Sequence, residues 1–185
     1  MTSGAVWYLM RASGVVTLLL LTSTFMLGIS TTSRLRTSRL PGFAVLGLHR
    51  SFSLLAVVFL AVHVVTAVAD PYAAVGIAAV FVPFVAGRSA FWVGLGAVSL
   101  DLMLALIATS LLRARLGLRA WRGVHWLAYI AWPLAIGHSL GMGSDTATLW
   151  MRVLAGGCVA LVGGALAVRL WLADGGEKHL EAQAA

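Results

Sequence analysis

The stretch GLHRSFSLLAVVFLAVHVVTAV, residues 47–68, decides the fold. It is almost wholly apolar and about 20 residues long, the length a helix needs to cross the hydrocarbon core of a bilayer. Yet it carries a titratable imidazole near each end, His49 and His63. A second stretch, RGVHWLAYIAWPLAIGHSLG (122–141), repeats the arrangement with His125 and His138. A polar ring in lipid is costly and normally faces the bundle interior, where it has a partner. One explanation must therefore serve four histidines.

The surrounding chain fixes the class. Of 185 residues, 61% are hydrophobic and 10% charged, and the mean hydropathy is +0.97. A water-soluble domain of this size cannot bury so much apolar surface. The chain reads as an all-α integral membrane helical bundle, a single transmembrane domain over residues 1–185. Five spans emerge, at about 7–29, 43–69, 89–112, 121–140 and 149–172. Trp150 and Trp171 bracket the fifth, one hydrocarbon thickness apart. Residues 71–87 are apolar but short, with Pro71, Pro83 and two glycines, and read as an interfacial or re-entrant segment. No soluble domain is expected, and the N-terminus lacks the basic region and cleavage site of a removable signal.

The net charge of +7 does not point to nucleic acid, because the arginines collect in short loops. Arg34, Arg36 and Arg39 fall in one such loop, and Arg113, Arg115, Arg119 and Arg122 in another. The positive-inside rule makes both cytoplasmic, with the N-terminus outside and the C-terminus inside a multi-pass cell-membrane protein. The single cysteine, Cys158, lies in an apolar run. It excludes an internal disulfide, a Cys-rich metal centre and covalent C-x-x-C-H haem attachment, and is expected to pack.

With this topology the second and fourth spans run the same way. His49 and His125 then lie near the inner face, and His63 and His138 near the outer. The separations of 14 and 13 residues correspond to about 21 and 20 Å of helix. Neutral imidazole is an axial ligand of haem iron, and two haems bridged between these spans would satisfy all four rings. Zinc fits less well, since each depth supplies two ligands and no thiolate or carboxylate stands near in sequence. Thirteen residues miss the same helix face by about 140°, so a bend is expected at Pro133, between the two histidines.

At these residues the chain resembles a family. The His-x13-His and His-x12-His pairs, with HRSFSLLAVVFLAVHV, WRGVHWLAYIAWPLAIGHSLG and WYLMRASG, are similar to the ferric reductase-like transmembrane domain. NADPH oxidases, ferric reductases and the haem-binding membrane subunit of bacterial methionine-sulfoxide reductase share that domain. The resemblance covers about residues 5–172. It implies two b-type haems, the inner on His49 and His125 and the outer on His63 and His138. Unlike in the oxidases, no flavin- or NADPH-binding domain is expected beside this membrane domain.

The resulting expectation is the haem-bearing membrane component of an oxidoreductase, embedded in the lipid bilayer. Electrons would come from a separate flavin-containing reductase or a quinol and pass to an acceptor on the outer side. The alternative is a haem-free small transporter or assembly subunit whose histidines serve protons or packing. Arg50 and Arg122 neighbour the inner histidines and would pair with haem propionates, or simply anchor helix ends among headgroups. Arg11 either snorkels or meets the outer propionates. Asp101, in mid-span, suits an interhelical hydrogen bond or a proton relay. Gly47, Gly123 and Gly137 stand next to ligands, where they would admit a haem face. His179 is expected in solvent.

Overall fold

The computed structural model describes residues 2–32, 41–143 and 145–184, with side chains over 4–31, 41–143 and 145–172. The first arginine loop therefore lies outside the described residues, as do the side chains of Lys178 and His179. Every regular element is helical: α1 (Thr2–Thr32), α2 (Gly42–Ala69), α3 (Ile77–Phe81), α4 (Ala90–Leu111), α5 (Arg113–His125), α6 (Ala128–Met142) and α7 (Leu149–Ala184). Among the described residues, four segments are long and apolar enough to cross a membrane: Gly4–Thr31, Gly42–Ala69, Ala90–Leu111 and Leu149–Leu172.

Prolines set the limits of α2. Pro41 caps its start in an extended conformation, and Asp70 leaves the helix because the following Pro71 disfavours helical geometry in the residue before it. Asp70 is 1% exposed, and its Oδ1 accepts the Tyr72 N–H at 2.9 Å. Residues 71–89 then form turns around the short α3 and return to the same end of the bundle, with Ala79 and Val80 buried. This segment does not cross.

The region read as the fourth span is two helices. The helix breaks at Trp126 and Leu127, not at Pro133, which lies inside α6. Three-residue hydrogen bonds mark the break: Leu127 N–H to Val124 O, Tyr129 N–H to Trp126 O and Ile130 N–H to Leu127 O. Such tightened turns advance about 120° per residue instead of 100°. That recovers part of the angular mismatch between His125 and His138. The preceding α5 is interrupted at Gly117, whose φ of 77° suits only glycine.

The helices assemble as two packed pairs. α1 lies along α2, and α4 lies along α6. Small hydroxyl residues let α1 approach its neighbours, since Ser13, Thr17 and Thr22 are buried and return their protons to carbonyls of their own helix. Across the α4–α6 seam, Ser99 donates to the Ala131 carbonyl at 2.9 Å. α7 presents Met151, Ala155, Cys158 and Val162, all buried and on one helical face. Cys158 packs with Leu18, Ile136 and Met151. α2 stands off from α4 and α6, and a cavity of about 490 Å³ opens between the two pairs.

Candidate functional site: two facing histidine pairs

The gap brings all four histidines together as two pairs. The rings of His63 and His138 stand 6.3 Å apart at one end, and those of His49 and His125 stand 6.3 Å apart at the other. Because His49 meets His125 and His63 meets His138, α2 runs parallel to the α5–α6 arm. All four rings are half-buried.

Three of the rings share one mount. His63 Nδ1 bonds the Met10 carbonyl at 2.8 Å, His138 Nδ1 the Trp92 carbonyl at 2.9 Å, and His49 Nδ1 the Thr24 carbonyl at 3.0 Å. A carbonyl only accepts, so each Nδ1 carries the proton and each Nε2 keeps its lone pair free. In every case the residue four positions after the carbonyl is glycine: Gly14, Gly96 and Gly28. A helical side chain tilts toward the N-terminus and shades the preceding turn, so glycine there uncovers the carbonyl. A Cβ on Gly96 would lie 2.6 Å from His138 Nδ1, and one on Gly14 would lie 2.9 Å from His63 Nδ1. At Gly28 the approach is looser, 3.6 Å from His49 Cε1.

These glycines escape a reading centred on the histidines. The glycines expected beside a cofactor differ from those found at the rings. Gly47 and Gly123 face open space, and Gly137 meets Leu95. A usable signal was present all the same: Gly14 and Gly28 are 14 residues apart, the same interval as His49 and His63 on the antiparallel neighbour.

The charged candidates divide. Arg11 forms an ion pair with Asp145, and its guanidinium lies 4.0 Å over the Trp7 ring. Together with Arg88, Arg11 and Asp145 line the cavity that contains His63 and His138. Arg50 and Arg122 are exposed at the His49–His125 end. Asp101 is half-buried in the middle of α4 and makes no hydrogen bond or ion pair among the described residues. Among those residues, too, no three metal-ligating side chains converge.

Residues 13–136 match the family described as ferric reductase like transmembrane component. The chain belongs to the ferric reductase-like transmembrane family. The match takes in His49, His63 and His125 and ends two residues before His138. No curated protein and no solved structure matches the chain significantly. Membership in the ferric reductase-like family points to electron transfer across a membrane. The helical bundle fits that role, because several of its helices are long and apolar enough to cross a bilayer.

Proposed function

We propose that the chain carries single electrons across the membrane through two bis-histidine b-type haems, the inner on His49 and His125 and the outer on His63 and His138. The observation that carries this reading is the 6.3 Å separation found twice. Two metal–imidazole bonds of about 2 Å each, with about 1 Å from ring centre to nitrogen on either side, place ring centres about 6 Å apart. Both separations therefore leave room for a metal ion between the facing rings. A tetrahedral zinc site wants four ligands, and neither pair gathers a third among the described residues.

When bound, each haem supplies a one-electron couple. The chain's residues do the rest. Gly14, Gly28 and Gly96 admit the rings, and the Met10, Thr24 and Trp92 carbonyls orient three of them. The second hydrogen bond of a ligating imidazole fixes its tautomer and raises its basicity. With two histidines holding each haem, the site would relay electrons and would not take up a substrate at the metal. The two histidine levels lie about 21 Å apart along α2 by helical rise, one toward each face.

The arginines exposed along α5 and those of residues 34–39 support the reading that the His49–His125 end faces the cytoplasm, by the positive-inside rule. Arg50 and Arg122 at that end are available for the inner propionates. Electrons enter from a separate flavin reductase or a quinol and leave to an acceptor outside. Pyridine-haemochrome assay of the purified chain tests the reading. Two haems per chain are expected; one or none would refute it, and none would favour a haem-free transporter or assembly subunit.

A further inference from the structure

The fourth histidine departs from the mount that the other three share. His125 Nδ1 is buried and has no hydrogen-bond partner among the described residues. Its ring instead stacks on Trp121, with centroids 4.7 Å apart and planes 26° from parallel. Trp121 is held in turn, since the Arg113 guanidinium lies 4.5 Å over its ring and its Nε1 donates to Ser110 Oγ at 3.3 Å. A three-layer stack on α5 thus does for His125 what a glycine-exposed backbone carbonyl does elsewhere.

The substitution has an electronic consequence. An Nδ1–H donated to a carbonyl pushes electron density into the imidazole, and the ligand becomes more basic. Such a ligand favours oxidised iron. Stacking on an indole gives no such push. The outer pair has two carbonyl-bonded rings and the inner pair has one. Charge acts in the same direction. Arg113, Arg115, Arg119 and Arg122 are exposed along α5 beside the inner pair, with no acid in that helix, whereas at the outer pair Arg11 is offset by Asp145 and Arg88 alone adds to the cavity lining. Cations stabilise the site that gains the electron.

We infer that the two histidine pairs are electronically unequal, the His49–His125 site having the higher reduction potential, and that Trp121 is the positioning residue for His125. The inference rests on the two-haem reading above. It implies that an electron shared between the sites resides mainly on the cytoplasmic side until an outer acceptor draws it off.

The test is a potentiometric titration of the purified full chain with dithionite, followed at the reduced haem bands. The wild type should resolve two one-electron components separated by at least a tenfold difference in reduction equilibrium, about 59 mV. His49→Ala should abolish the higher component, and His63→Ala the lower. Trp121→Leu should weaken haem binding at the higher component about tenfold, in line with the loss of an outer-shell support, so that this component shrinks as haem is titrated out and the lower one does not move. Trp121→Phe, which keeps an aromatic face, should restore it. Two haems with the order reversed, or a Trp121→Leu effect on both components or neither, would overturn the inference alone. Fewer than two haems in the wild type would overturn the underlying reading with it.

Discussion

Replacing Gly96 by alanine isolates the ring mount from the rest of the fold. The added Cβ would sit 2.6 Å from His138 Nδ1, 2.8 Å from Cε1 and 3.0 Å from Cγ, where ordinary contacts begin at 3.4 Å. The ring must retreat by about 0.8 Å, the difference between 2.6 and 3.4 Å. That stretches its 2.9 Å bond to the Trp92 carbonyl beyond hydrogen-bond range. A metal ligand tolerates only about 0.2 Å, so the ring cannot yield at either end. Overpacking of this kind costs about 1–3 kcal/mol, while alanine for glycine within a helix returns about 1 kcal/mol. Folding should survive, and the penalty should fall on haem affinity, by roughly one to two decades, seen as haem lost from the purified chain. Gly14→Ala, with a 2.9 Å approach, should cost less, and Gly28→Ala, at 3.6 Å, almost nothing. Haem per chain from pyridine haemochrome, read beside a size-exclusion profile, measures both quantities. Full occupancy in Gly96→Ala, or equal losses at Gly96 and Gly28, would refute the reasoning.

Other perturbations address pairing, sidedness and packing. His49→Ala and His125→Ala should each remove the same spectral component, and His63→Ala and His138→Ala the other; a match between His49→Ala and His138→Ala would contradict the pairing. In a Cys158→Ala background, cysteine at Gly117 should react with an impermeant maleimide only after the membrane is opened, and cysteine at Ala73 should react from outside. The reverse pattern would invert the orientation. Ser99→Ala removes a buried bond across the α4–α6 seam and should lower unfolding stability by about 0.6 kcal/mol, read as a shifted midpoint in a detergent denaturation series.

Much of this was legible because membrane chains obey few rules. Lipid forces every span to satisfy its own backbone, so apolar run length located α1, α2, α4 and the membrane part of α7 closely. The non-crossing nature of 71–87 followed from Pro71, Pro83 and its length. The break in the fourth span did not, because sequence offers Pro133 as the obvious cause while the chain tightens at Trp126 and Leu127. A proline within a membrane helix is tolerated where neighbours re-satisfy the backbone. The ring mounts were hidden for another reason: their acceptors are backbone carbonyls, which every residue has. Only the missing side chains at Gly14, Gly28 and Gly96 single them out. Arg11 was read as either snorkelling or meeting outer propionates, and its partner Asp145 is remote in sequence and visible only once α6 and α7 are placed.

The stand-off between the two helix pairs leads to a last prediction. α1–α2 and α4–α6 are each closely packed, yet a cavity of about 490 Å³ separates them beside His63 and His138. The two pairs are joined on one side, by Leu18 packed with Ile136 and by the Trp132 Nε1–H donated to Thr22 Oγ1 at 3.1 Å, so the helix that must be held off from α4 and α6 is α2. The glycine mounts cannot do this, since they draw α1 toward α2 and α4 toward α6 but link neither pair to the other. A group gripped by His63 from one pair and His138 from the other is the natural spacer. Cells starved of haem precursor should therefore yield a chain that is degraded or runs as a broad, collapsed species, and restoring the precursor during expression should return it to a sharp monodisperse peak. A haem-free chain as stable and compact as the haem-replete one would mean that the gap is kept open by something else.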